Sequence, residues 1–141
     1  MIGVKKLDPR AKNPSRAHAT DAGWDLFALD GHYLYPGYPP EKIRTGIALS
    51  IPIGHVGIIS PRSSLGAKGV QIYGGIIDSG YRGEIIAMLA LTTHGADMYH
   101  ILPGDKIAQL VVHKLYDEVM WEVTELSPSD RGDGGFGSTG K

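Results

Sequence analysis

The sequence predicts an all-β fold, and three observations carry that prediction. Apolar and polar residues alternate with period two along the longer segments. Turn residues recur at short intervals, with 20 glycines and 9 prolines in 141 residues. No stretch of helical period exceeds a turn or two, Ser63–Lys68 being the best candidate. Short strands joined by tight turns make a sandwich or a barrel, and this length suffices for one such domain with a real core.

The elements follow in chain order. Ala22-Gly-Trp-Asp-Leu26 reads as a short strand with Asp25 between large apolar residues, so that its carboxylate needs a structural partner. From Lys42 to Ile51, the residues Ile43, Thr45, Ile47, Leu49 and Ile51 alternate with Lys42, Arg44, Gly46, Ala48 and Ser50, predicting a strand with one buried face. Glu84–Leu91 and Lys106–Leu115 are apolar on both faces, as central strands are. Val119, Trp121 and Val123 alternate with Met120, Glu122 and Thr124 and predict a last strand. Tyr35-Pro-Gly-Tyr-Pro-Pro40, Pro52-Ile-Gly54, Asp78-Ser-Gly80 and Leu102-Pro-Gly-Asp105 are turn chemistry. The third of these joins Gly74-Gly-Ile-Ile77 to the run from Ile85 and reads as a hairpin. Composition breaks once, after about Leu126, which divides the chain into a folded domain over 1–126 and a flexible glycine-rich arm over 127–141.

Composition narrows the function. With 14 basic and 15 acidic residues, nothing points to nucleic acid or an anionic membrane as a partner. The absence of cysteine excludes disulfide frameworks and Cys-based zinc sites. Met1–Asp8 lacks the apolar core of a signal peptide, and the apolar run Ile85–Leu91 is too short to span a bilayer, so a cytoplasmic protein is expected. The six histidines have no ligand-like spacing and read as surface or packing residues.

Four segments have the residue types of a site. Ser60-Pro-Arg-Ser-Ser-Leu-Gly66 follows a strand and turns abruptly at Pro61, presenting Arg62, Ser63 and Ser64 as anion ligands or as a solvated loop. Asp78 either serves its turn or is a general base at a rigid tip, with Tyr81 beside it against a sugar. Gln109 sits among apolar neighbours, where an amide needs partners. The tail Arg131-Gly-Asp-Gly-Gly-Phe-Gly-Ser-Thr-Gly-Lys141 suits an arm that wraps phosphates while Phe136 covers a flat ring, or a disordered end. Gly135–Lys141 also spells G-x-x-x-x-G-K; a phosphate loop would need a preceding strand and a following Ser/Thr and helix, and that reading is set aside.

The order and spacing of Ala22-Gly-Trp-Asp-Leu26, Pro61-Arg-Ser-Ser-Leu65, Gly74-Gly-Ile-Ile-Asp-Ser-Gly-Tyr-Arg-Gly83, Gly104-Asp-Lys-Ile-Ala-Gln-Leu110 and Arg131–Gly140 resemble the five motifs of the homotrimeric dUTPases, over nearly the whole chain. The resemblance implies a jelly-roll-like β-barrel subunit, 1–126, in a homotrimer whose active sites are each shared among the three chains. It implies hydrolysis of dUTP to dUMP and pyrophosphate by attack of water at the α-phosphorus, with Mg²⁺ held by the substrate phosphates and water rather than by protein ligands. Such an activity limits uracil in DNA and supplies dUMP for thymidylate synthesis. By the same match, Asp78 is the base, and the segment Gly75, Ile76, Ile77, Asp78 to Tyr81 forms the uracil and deoxyribose pocket. Arg62, Ser63, Ser64 and Gln109 hold phosphates or their water shell, and Asp25 organises the trimer or the water around Mg²⁺. In the arm, Phe136 stacks on uracil while Arg131, Gly137, Ser138 and Thr139 take the outer phosphates.

Ser64 stands where many members have Gly, Gly80 where a second Asp is frequent, Trp24 where Tyr is, and Ile72 where some place a uracil-binding Asn. Two alternatives compete. The related dCTP deaminases need a Glu farther along the strand after Asp78; that place is held by Met88, while Glu84 sits closer to the turn. A non-catalytic nucleotide-sensing trimer would predict loss of Asp78 or of the arm, and both are present.

Overall fold

A computed structural model describes residues 1–92, 98–116 and 119–134. Its described elements are β1 (Gly3–Lys6), β2 (Trp24–Phe27), β3 (His32–Leu34), β4 (Glu41–Ser50), β5 (His55–Ser60), the single turn α1 (Ser63–Gly66), β6 (Val70–Tyr73), β7 (Ile76–Asp78), β8 (Glu84–Leu91), β9 (Tyr99–Ile101) and β10 (Lys106–Lys114). They form two four-stranded antiparallel sheets, in the orders β1-β4-β8-β6 and β2-β10-β5-β7, and a small β3-β9 pair. Neighbours in each sheet are mostly distant in sequence, the connectivity of a jelly-roll rather than of a meander. One continuous core lies between the sheets, built from Ile43, Ile47, Ile85 and Leu89 on one side and Leu26, Ile59, Ile107 and Leu110 on the other.

Most expected elements form. Each of the four predicted turns closes with an N–H of its fourth residue donating to the carbonyl of its first: Tyr38 to Tyr35, His55 to Pro52, Tyr81 to Asp78 and Asp105 to Leu102. β8 and β10 are each flanked by two strands, as their two apolar faces require. In β4 the predicted face is buried, but Gly46 and Ala48 are buried as well. The cause is an irregularity: the register with β8 shifts between Arg44 and Ala48, and Gly46 takes a φ of 70° there. The Glu84 carboxylate fastens that bulge by accepting the Gly46 N–H at 2.8 Å.

Two expectations are corrected. Residues 119–124 form no strand, and Val119 and Trp121 are 76% and 74% exposed. Alternation says which face of a segment is to be buried, not against what, and among the described residues no sheet edge receives it. The turn at Asp78 is not a hairpin: β7 pairs with β5, whereas β8 pairs with β4 and β6. It is a corner, at which the chain crosses from one sheet to the other.

Ion pairs hold the outside of this corner. Glu84 pairs with Arg44 at 3.1 Å, and Asp30 lies between Arg44 and Arg10 at 3.8 and 2.9 Å. Arg10 also pairs with Asp8 at 2.9 Å, and the side-chain hydrogen bond from its guanidinium holds the Asp8 carboxyl below its ordinary pKa. None of the helices among the described residues is long and apolar enough to cross a membrane.

Candidate active site

β5 organises the predicted site residues at its two ends. At its C-terminal end Ser60 pairs with Gln109 of β10, and Gln109 pairs in turn with Asp25 of β2. Pro61 then turns the chain, and its carbonyl accepts the Gln109 side-chain N–H at 3.0 Å, which fixes which end of the amide faces out. Arg62 follows. Its Nε lies 3.1 Å from Asp25 Oδ1, and Nη1 donates to the Lys106 carbonyl at 3.2 Å. The other Asp25 oxygen is 2.7 Å from Lys106 Nζ. Asp25 thus has the structural partners its mostly buried position demands, and it holds two cations side by side. Asp25, Arg62, Lys106, Ser63, Ser64 and Gln109 line one cavity of about 330 Å³. Its walls offer a guanidinium, an ammonium, two hydroxyls and an amide, an inventory suited to a multiply charged anion.

Lys106 is the residue that sequence reasoning missed. It lies three residues from Gln109, a spacing that puts two side chains on opposite faces of a regular strand. β10 has one extra residue between Lys106 and Ala108 relative to β2, and this bulge brings Lys106 round to the cavity.

At the other end of β5, Val56 pairs with Asp78 and Ile58 with Ile76. Ile77 turns inward and packs against the core, so Ile76 and Asp78 face out together. With Tyr81, Glu84 and Ile86 they line a second cavity of about 220 Å³. Ile76, Tyr81 and Ile86 are 65%, 43% and 37% exposed, an apolar surface around an open carboxylate. Gly75, just before β7, joins β5 nearer its C-terminal end, accepting the Ile59 N–H at 2.8 Å. Its φ is 102°, and a Cβ there would stand 2.8 Å from the Ile59 carbonyl oxygen, so only glycine lets the backbone lie this close. Glu84, set aside as too near the turn, does line this cavity, with its carboxylate engaged by Arg44 and Gly46.

Val56 and Ser60 are four residue steps apart along β5, about 13 Å of extended strand. The two cavities share no lining residue. Arg62, Ser63, Ser64, Gln109 and Asp25 are therefore brought together, as are Ile76, Ile77, Asp78 and Tyr81, but the groups are apart within one chain. Arg131 joins neither, its Nε donating to the Gly134 carbonyl at 2.9 Å. Phe136, Gly137, Ser138 and Thr139 lie outside the described residues. Among the described residues no group of three His, Asp or Glu side chains is arranged to hold a metal ion.

Comparison with known proteins agrees with these motifs. The dUTPase family model matches residues 10–140. The deoxyuridine 5'-triphosphate nucleotidohydrolase of Rhodococcus erythropolis is 44% identical over 142 aligned residues, covering 99% of this chain and 85% of the relative. That of Variola virus is 42% identical, covering 93% of this chain and 87% of the viral protein. Among solved structures, a Staphylococcus bacteriophage 80alpha dUTPase mutant with dUpNHpp is 31% identical and superposes with a TM-score of 0.88, covering 100% of this chain and 99% of that one. A mutant dUTPase of phage phi11 of S. aureus, described with a coordinated structural Mg(II) ion, is 30% identical with a TM-score of 0.81, covering 89% and 97%. The motifs, the double-sheet fold and these matches over nearly its full length agree: the chain belongs to the dUTPase family.

Proposed function

We propose that this protein hydrolyses dUTP, taken up as its Mg²⁺ chelate, to dUMP and pyrophosphate at sites formed between copies of the chain. The observation that carries this reading is the outward-facing Asp78 in its apolar corner beside the start of β5, with a separate cavity of anion ligands at the far end of β5. Asp78 takes a proton from water as the oxygen attacks the α-phosphorus. The bond from the α-phosphorus to the bridging oxygen breaks, and pyrophosphate leaves with its electron pair. Arg62, Lys106, Ser63, Ser64 and Gln109 receive that growing charge, which is where most of the barrier is lowered. Magnesium bound to the triphosphate would neutralise part of its charge.

The backbone from Gly75 to Asp78 reads the uracil edge, rejecting cytosine by its reversed donor and acceptor pattern. Tyr81 packs against the deoxyribose and leaves no room for a ribose hydroxyl. Because the two cavities lie apart in one chain, the base and sugar pocket of one copy meets the anion cavity of another in a homotrimer. The exposed apolar side chains of Val119, Met120, Trp121, Val123 and Leu126 supply further surface for association.

The arm over 127–141 closes this shared site. Phe136 covers the uracil, and Arg131, Gly137, Ser138 and Thr139 take the outer phosphates. Truncation after Leu126 is expected to leave a folded trimer by light scattering while lowering turnover by about a hundredfold, through lost water exclusion and phosphate contacts. Unchanged turnover would remove the arm from the mechanism. The substrate assignment is tested by pyrophosphate release from dUTP, dCTP, dTTP and UTP. Release from dUTP alone is expected, and ammonia from dCTP would overturn the assignment.

A further inference from the structure

The Tyr81 ring is open to solvent on one side yet held from two directions. Its hydroxyl donates to the Glu84 carbonyl at 3.0 Å. The ring also lies across Gly83: a Cβ on that residue would stand 2.6 Å from Tyr81 Cζ and 3.0 Å from Cε2. Gly83 is not among the glycines of positive φ, so what it supplies here is space rather than backbone freedom. The carbonyl that takes the hydroxyl is itself anchored. The Glu84 side chain accepts the Gly46 N–H at 2.8 Å and Arg44 Nε at 3.1 Å, docking the start of β8 on the β4 bulge.

We infer that Gly83 is a specificity-determining residue: it seats the Tyr81 ring, and through that ring it sets the preference of the pocket for deoxyribonucleotides over ribonucleotides. The inference rests on the reading of Tyr81 as the sugar wall. A methyl group at position 83 must push the ring away by about 1 Å to restore ordinary carbon–carbon contact. A wall displaced by that much no longer fits the deoxyribose or closes the space of a 2′-hydroxyl. Gly83 itself lines neither cavity, so the loss is expected to fall on sugar recognition more than on chemistry.

The test is a double-mutant cycle read as the ratio of kcat/KM for dUTP to that for UTP, in wild type, Gly83→Ala, Tyr81→Ala and the double variant. Gly83→Ala is expected to lower the ratio about tenfold, mainly through KM for dUTP, with kcat for dUTP within about threefold of wild type. In the Tyr81→Ala background the same change is expected to move the ratio by less than about twofold, because the ring it displaces is gone. A wild-type ratio in Gly83→Ala, or an equal effect in both backgrounds, would overturn the inference. Tyr81→Phe, which keeps the ring and loses the tether to Glu84, is expected to lower the ratio about threefold even if Gly83→Ala assembles poorly. An unchanged ratio there would count against the seat. If Tyr81→Ala itself kept the wild-type ratio, the sugar-wall reading would fail first, and the inference with it, an outcome distinct from silence of Gly83→Ala alone.

Discussion

Asp78→Asn is expected to lower dUTP turnover by about a thousandfold, within the range that a positioned general base supplies. Asparagine keeps the size of the side chain and its hydrogen-bonding reach but cannot take the proton of the attacking water. The residue sits at the end of β7 with its side chain facing out, so the fold has nothing invested in its charge. Stability and assembly should therefore stay at wild-type levels. Affinity for dUTP, read by calorimetry, should change by no more than about threefold, since binding rests on other groups. Turnover within about tenfold of wild type would remove Asp78 as the base.

Arg62→Ala is expected to cost about a hundredfold in kcat/KM, expressed in both parameters. Two effects add. The guanidinium proposed to receive the charge of the leaving phosphates is lost, and of its two ion-pair partners Asp25 keeps Lys106 to offset its charge inside the anion cavity. Arg62→Lys should recover little of this. A single ammonium cannot reach both Asp25 and the Lys106 carbonyl, as the Arg62 fork does at 3.1 and 3.2 Å. Recovery to near wild type would show that charge alone matters here, not the fork.

Much of this site is legible in the sequence because its parts are local. Arg62, Ser63 and Ser64 are adjacent, Pro61 announces their turn, and Asp78 and Tyr81 close a four-residue turn of their own. The two-sided apolar runs of β8 and β10 likewise identify central strands without any knowledge of partners. What is not legible depends on pairing. Whether the turn at Asp78 folds a strand back on its neighbour or carries it to the other sheet is decided by which sheet edges are free, and both outcomes use the same residues. Lys106 is hidden for a related reason, since a single extra residue in β10 reverses the face it occupies. The alternation around Trp121 predicts a strand that does not form, and these side chains stay exposed among the described residues.

The distance between the two halves of the site is the most demanding feature of this account. With Asp78 and Arg62 lining separate cavities of one chain, the proposed site takes one of them from a neighbouring copy, and subunit mixing measures this directly. Asp78→Asn and Arg62→Ala subunits, each nearly inactive alone, are co-refolded at equal concentration and assayed with dUTP. An intact Arg62 face then meets an intact Asp78 face at about a quarter of the interfaces of randomly mixed trimers, which predicts about a quarter of wild-type activity. Activity no greater than the sum of the two parents would mean that each site lies within one chain, and would contradict the shared site.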